Sequence, residues 1–332
     1  MHNARTRRTR AVTIQTPRRP PQREELSFFG IELWVVLALG GGVAQTLRNV
    51  TAQTISSDIS ATLNSWSRFT FCLPYAALAA ITLGIKDGWP ELSSTFLGFC
   101  AITAVAQLTA NVALITAFRS GSFGESIVFH KLEVVLTAIA GTMFFSEPPS
   151  MLGGFGIAVC AAGVISINLT REGSGESVWR GLSFGRSGQF ALLCAVLLVF
   201  ASFALKLANG ALRAANPEAS FFDGAVQTLF HTTWIEVVIL SLWILWREPA
   251  SFREVGKHWK RMLVIGSAGF TASLCWFWAF SITIVAYAKA VGQIESLLAV
   301  ALGIRIMGEK SLIRQLPGIA LTLLGITLIL LD

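Results

Sequence analysis

Ten apolar windows of about 20 residues, separated by short connections, recur along the chain and limit what it can fold into. They cover residues 29–50, 59–84, 95–118, 122–145, 150–168, 188–210, 222–246, 262–282, 285–307 and 313–331. Each window is long enough to cross the roughly 30 Å hydrocarbon core of a bilayer as a helix. Charged residues make up only 14% of the sequence, against roughly 25% in soluble domains. The sequence therefore predicts an all-α polytopic membrane protein with ten transmembrane helices and no soluble catalytic domain.

A basic tail, residues 1–28, precedes the first window and carries seven arginines before Glu24. We expect this tail to be disordered and cytoplasmic, because basic residues beside a first span favour the inner side. Ten spans then place the C-terminus in the cytoplasm as well, although the basic connection at 247–261 opposes that topology. The net charge of +7 matches the arginines of the tail, so no nucleic-acid partner is expected. A compact chain of this kind fits a prokaryotic inner (plasma) membrane.

The chain partly repeats itself at an offset of 162 residues. At this offset identical residues coincide: Glu133 with Glu295, Gly141 with Gly303, Glu147 with Glu309, Gly156 with Gly318, and Gly163 with Gly325. The repeats span 29–168 and 188–332, joined by a linker at 169–187. Each repeat holds five windows, and an odd number inverts the second repeat in the membrane. Two inverted five-helix repeats would place a substrate site near the midplane and permit alternating access.

The ends of the two repeats resemble the repeat unit of the EamA family, within the drug/metabolite transporter superfamily. These are LEVVLTAIAGTMFFSEPPSMLGGFGIAVCAAGVISI at 132–167 and IESLLAVALGIRIMGEKSLIRQLPGIALTLLGITLIL at 294–330. Each has a Glu, thirteen residues, a second Glu and a Gly-spaced last helix, and SRF at 67–69 resembles the family's second helix. The Pro that usually follows the first Glu is absent from both. The resemblance covers about 29–331 and implies ten helices around a central cavity and transport of small metabolites.

Glu133 lies deep in the fourth window, where a charge costs on the order of 2.5–3.5 kcal/mol or more. His130 lies one helical turn away on the same face, whereas Lys131 points to the opposite side and needs a partner on another helix. The recurrence of Glu133 as Glu295 adds weight to both positions. Two interpretations remain: a buried ion-pair network, or a site where substrate and proton compete for a carboxylate, with His130 as proton partner.

Arg68 lies inside the second window and must be paired or face a cavity, because arginine does not lose its charge in proteins. It could bind a carboxylate or phosphate of a substrate. Alternatively it could pair with an acid such as Glu236 or Glu32. His231 is its approximate counterpart in the second repeat, and the same alternatives apply.

Further polar residues in the windows could line a cavity or bond to a neighbouring helix. Lys289 and Gln293 lie one turn apart in the ninth window, and Gln107 and Asn111 share a face of the third. Trp276 could stack on an aromatic or cationic ligand, or simply pack against helices. The five cysteines lack paired ligand spacing, so neither a metal site nor a cofactor is expected. The glycine pairs Gly156/Gly163 and Gly318/Gly325 predict close helix contacts.

These observations predict a secondary active transporter, not an enzyme, for a small polar metabolite such as an amino acid or similar zwitterion. We expect export by alternating access with proton antiport. Arg68 would bind a carboxylate, and Glu133 or Glu295 an amine or proton. No ATPase signature is present, since Glu309 interrupts the only P-loop-like stretch. The expected partners are the metabolite and membrane lipid, with a monomeric or homodimeric chain. The alternatives are efflux of organic cations and, more remotely, an intramembrane enzyme or lipid-handling protein.

Overall fold

The computed structural model describes residues 27–28, 31–120, 123–171, 185–307 and 312–332. Almost all of these residues are helical, apart from two short antiparallel strands, β1 (Ser27–Phe28) and β2 (Ile31–Glu32), that precede the first helix. The basic tail up to residue 26 and most of the linker at 169–187 lie outside the described residues.

Seven helices form the first half of the described chain. They are α1 (Leu33–Gln53), α2 (Ala61–Thr70), α3 (Leu73–Asp87), α4 (Ser94–Ser120), α5 (Phe123–Lys131), α6 (Glu133–Phe144) and α7 (Met151–Arg171). Helix α3 begins almost directly after α2 ends, and α6 begins almost directly after α5 ends. Ser60 caps α2 by accepting a hydrogen bond from the Leu63 amide, and Pro74 lies in the first turn of α3.

Six helices and one 3₁₀ segment (Pro249–Glu254) form the second half. The helices are α8 (Arg186–Ala215), α9 (Phe221–Arg247), α10 (Val255–Ile282), α11 (Val285–Val291), α12 (Ile294–Met307) and α13 (Leu312–Leu330). Ser220 and Asp223 form a capping box that fixes the start of α9.

Three helix pairs make the most extensive contacts: α4 with α8, α7 with α13, and α1 with α10. Glycine permits the α7–α13 approach, because a Cβ atom on Gly163 would lie 2.4 Å from the Thr322 amide nitrogen. A Cβ atom on Gly325 would lie equally close, 2.4 Å, to the Cys160 nitrogen. The close helix contacts predicted from the glycine spacing are therefore confirmed.

Six helical segments are long and apolar enough to cross a membrane, by length and composition. They are Ala61–Asp87, Ser94–Ser120, Met151–Leu169, Arg186–Ala215, Phe221–Arg247 and Pro249–Ile282. The other four predicted windows are also helical where described, but fall short for different reasons. The fourth and ninth are each divided into two helices, α1 carries Arg48 and Asn49, and the segment Gln315–Leu330 of α13 is shorter.

Several charged side chains lie inside the bundle, whereas many large apolar side chains lie on its outer surface. Ile85 is 77% exposed and Leu242 is 62% exposed, whereas Glu236 and Lys289 are only 2% and 7% exposed. A water-soluble protein has the opposite arrangement, because its apolar side chains are removed from solvent. The described chain is an all-helical, multi-pass integral membrane protein.

Candidate functional site

The fourth and ninth windows are each interrupted at a similar place, next to their charged residues. Leu132 separates α5 from α6, and Gly292 and Gln293 separate α11 from α12. In each window a lysine lies in the last turn of the first helix, and a glutamate lies in the first turn of the second. This order suits the helix dipole, which favours cations at a helix C-terminus and anions at an N-terminus.

The lysine of each window pairs with the glutamate of the other. Lys289 on α11 donates to the Glu133 carboxylate at the start of α6. Lys131 at the end of α5 lies 3.2 Å from Glu295 Oε1 on α12. We call these contacts the crossed ion pairs. The prediction that Lys131 has its partner on another helix is confirmed.

Three further polar contacts surround the crossed ion pairs. Lys131 also donates to Gln293 Oε1 at 3.0 Å, so its ammonium has two acceptors. The Gln45 amide donates to Glu295 and accepts from Trp276 Nε1 at 3.2 Å. The backbone of Gly292 makes room for the Trp276 ring, since a Cβ atom there would lie 1.9 Å from the ring.

His130 does not take part in these pairs, although it lies one turn from Glu133. Its Nδ1 atom lies 3.6 Å from Cys194 Sγ on α8. The Glu133 carboxylate binds the Lys289 ammonium instead, because an ion pair in a low-dielectric interior outweighs a hydrogen bond to a neutral imidazole. The role of His130 as a proton partner of Glu133 stays a prediction.

Arg68 lines a separate small cavity, with free space of about one water molecule. Glu236, Gln107, Cys72, Thr233 and Ser273 lie on its wall, together with apolar groups. We call it the Arg68 cavity. Its two charged residues do not form an ion pair in the described structure, although they share the same space.

A second arginine, Arg48 on α1, lies close to Arg68. Both lie close to Gly269 on α10. A Cβ atom added to this glycine would lie 3.5 Å from Arg68 Cγ and 3.7 Å from Arg48 Cδ. Arg48 donates from Nε and Nη2 to Asn49 Oδ1, at 3.1 and 2.9 Å. The other predicted alternative for Arg68, Glu32, contacts Trp34 instead.

Comparison with models of known protein families identifies the family of the second half of the chain. Residues 186–331 match the model of the EamA-like transporter family. These residues belong to the EamA-like transporter family. The resemblance to the EamA family is thus confirmed, and with it membership of the drug/metabolite transporter superfamily.

Experimental structures share the fold of this protein. One solved crystal structure of a protein superimposes with a TM-score of 0.62 at 13% identity, covering 90% of this chain and 97% of that one. No curated protein matches the chain. Identity this low is evidence for the fold alone.

Two predicted site residues lie apart from both the crossed ion pairs and the Arg68 cavity. His231 packs edge-on against Phe96 and Phe230, and its Nδ1 atom lies 2.8 Å from the backbone oxygen of Gln227. Asn111 lies on α4 and is not among the residues that line the Arg68 cavity. The remaining candidates lie in the crossed ion pairs, beside them or in the Arg68 cavity.

The sequence analysis did not single out Arg48 or Gln45, although both are polar residues in the first window.

A further ion pair joins Lys206 on α8 to Glu147, which also accepts a hydrogen bond from the Val285 amide at 3.2 Å. Lys206 donates further to the Thr283 backbone oxygen at 2.9 Å. This pair ties the start of α11 in the EamA-like half to residues of the first half.

Proposed function

We propose that this EamA-like protein is a secondary active carrier that moves a small zwitterion, such as an amino acid, by alternating access. In this proposal all ten windows cross the membrane, as two inverted five-helix repeats, and the chain exports its substrate in exchange for protons. Both termini lie in the cytoplasm of a prokaryotic cell. A carrier is favoured over an intramembrane enzyme, because EamA is a transporter family.

Helix pairing supports the inverted repeats. If α1 corresponds to α8 and α4 to α10, the contact of α1 with α10 is the symmetry mate of the contact of α8 with α4. The pair α7 and α13 then maps onto itself. The interrupted windows also correspond, with α5 and α6 matching α11 and α12. Interrupted helices in matching positions are typical of the substrate sites of inverted-repeat carriers.

The crossed ion pairs are the main evidence for the chemical class of the substrate. Their two lysines and two glutamates sum to zero charge, so a ligand without net charge can enter without leaving an excess charge in the membrane. The ammonium of a zwitterion can replace a lysine at Glu133 or Glu295, while its carboxylate takes the lysine that is released. Opening and closing of the crossed ion pairs would then accompany the change of access.

An organic cation suits these pairs less well. It would displace Lys289 or Lys131 from its glutamate and leave that ammonium buried without an anion, which is unfavourable. The Trp276 ring beside Gln45 favours this alternative, since an indole face attracts cations. The carboxylates of Glu133 and Glu295 favour it as well.

Counterflow from liposomes tests the proposal. The full-length protein is reconstituted in liposomes loaded with a mixture of amino acids and quaternary ammonium compounds. A pH gradient is imposed, and mass spectrometry identifies what leaves. Glu133→Gln is compared with Glu254→Gln, which removes a partly exposed glutamate paired with Lys257 at 2.9 Å.

We expect a zwitterion to leave with the wild type and with Glu254→Gln, but at least tenfold more slowly with Glu133→Gln. Release of quaternary ammonium compounds alone would favour the organic-cation alternative. Release of a zwitterion at wild-type rate from Glu133→Gln would remove the crossed ion pairs from the mechanism.

A further inference from the structure

Three partly buried glutamates share one property: each has a lysine partner. The pairs are Glu133 with Lys289, Glu147 with Lys206, and Glu295 with Lys131. Glu236 on α9 is different. Its side chain is buried, with the residue 2% exposed, and its Oε1 atom receives no hydrogen bond.

The groups that face Glu236 come from several helices. Arg68 belongs to α2, Cys72 lies between α2 and α3, Gln107 belongs to α4 and Ser273 to α10. Thr232 and Thr233 on α9 complete the polar part of the wall, and Arg48 lies close to Gly269, which also lines the cavity. Arg68 is therefore the nearest cation on the cavity wall, yet it makes no ion pair with Glu236 in the described structure.

An ionised carboxylate with an oxygen that lacks a donor is unfavourable in such an interior. A proton on that oxygen removes the charge, so a neutral carboxyl matches the observed geometry. Arg68 cannot respond in the same way, because a guanidinium keeps its proton. When Glu236 loses its proton, the resulting carboxylate can approach Arg68, which lines the same small cavity.

We propose that Glu236 is the proton-binding group of the carrier and that Arg68 is its alternative partner. In the conformation described here a hydronium ion that reaches the Arg68 cavity transfers its proton to Glu236 Oε1 and leaves a neutral water molecule. In the opposite conformation the proton returns to water, and the carboxylate pairs with Arg68. The inference rests on the proposed function, since binding and release on opposite sides couples the proton gradient to transport.

This assignment separates the proton site from the substrate site. Glu133 and Glu295 each pair with a lysine, so they are suited to exchange one cationic partner for another. Their predicted role as proton groups remains untested, and the experiment below distinguishes it from the role of Glu236.

Infrared difference spectroscopy of the reconstituted full-length protein measures protonation without transport. Spectra recorded at neutral and alkaline pH, above the range in which exposed carboxyl groups titrate, reveal the C=O stretching band of a carboxyl group that is protonated at neutral pH. We expect such a band in the wild type and in Glu133→Gln, and its loss in Glu236→Gln. A band that persists in Glu236→Gln and disappears in Glu133→Gln would overturn the proposal.

Arg68→Gln provides a second measurement should Glu236→Gln not fold. Without its alternative partner, the Glu236 carboxyl should hold its proton to higher pH than in the wild type. A band that titrates at the same pH in both proteins would contradict the pairing. Loss of the band in Glu236→Gln, with no transport of any compound by the wild type, would support the proton site and reject the carrier.

Discussion

Glu133→Gln should strongly destabilise the protein, because it leaves a buried ammonium without its anion. The Lys289 side chain is 8% exposed, and its remaining acceptor is the Leu198 backbone oxygen at 3.4 Å. Removal of one partner of a buried pair costs about 3–5 kcal/mol. We expect the lower end of that range, since the glutamine amide oxygen can still accept a hydrogen bond.

A double-mutant cycle isolates the contribution of this pair. Lys289→Met alone should destabilise the protein comparably, because it leaves the carboxylate unpaired. The double variant carries neither charge, so its loss should be smaller than the sum of the two single losses. The difference should be about 0.5–3 kcal/mol.

Glu295→Gln serves as the comparison within the same site. It removes the carboxylate from Lys131, but that lysine keeps the Gln293 Oε1 acceptor at 3.0 Å. Its side chain is also more exposed than that of Lys289, at 16% against 8%. We therefore expect Glu295→Gln to destabilise the protein less than Glu133→Gln.

Reversible denaturation of the purified protein in mixed micelles, followed by tryptophan fluorescence, measures these differences. Additivity of the Glu133→Gln and Lys289→Met losses, within about 0.3–0.5 kcal/mol, would refute the argument. It would mean that the two groups do not depend on each other in the folded protein. The same would follow if Glu295→Gln proved the more destabilising of the two glutamate variants.

Other contacts give further expected outcomes. Gly163→Ala should lower the thermal unfolding midpoint, because its Cβ atom would lie 2.4 Å from the Thr322 nitrogen. Gly98→Ala on α4 should instead stabilise the protein by about 0.5–1 kcal/mol, because no atom lies within 4 Å of the added Cβ atom. If both substitutions shifted the midpoint in the same direction, this reasoning would be contradicted. His231→Phe should keep near wild-type counterflow, since the histidine packs between phenyl rings; a tenfold loss would give it a functional role. Trp276→Phe should weaken the Gln45 contact and alter tryptophan emission without abolishing zwitterion release; abolished release would place the indole in the substrate site.

Periodicity and composition were sufficient for the class of fold. A sequence with repeated apolar windows has few alternatives to a helical bundle in lipid, since every backbone polar group must be bonded within its own segment. Glycine spacing predicted that α7 and α13 make close helix contacts, because only glycine lets two backbones approach so closely. Such features depend on short stretches of sequence and can be derived from them.

Partners of the charged residues were harder to derive. Glu133 had His130 one turn away, yet its carboxylate binds Lys289, which is 156 residues distant along the chain. Arg68 had Glu236 as a candidate partner, and the two share a cavity without forming an ion pair. Helical spacing identifies neighbours on one face, whereas a buried charge responds to whichever opposite charge another helix brings close.

The sequence by itself determined that the chain is a membrane-embedded helical protein, that its glycines form close contacts, and that several charges are buried. Tertiary structure alone decided which of those charges are neutralised. It joined Lys131 to Glu295 and Lys289 to Glu133, and it left Glu236 Oε1 without a donor. The physical reason is that hydrophobicity acts along each helix, residue by residue, while the energy of a buried charge depends on distances between atoms of different helices.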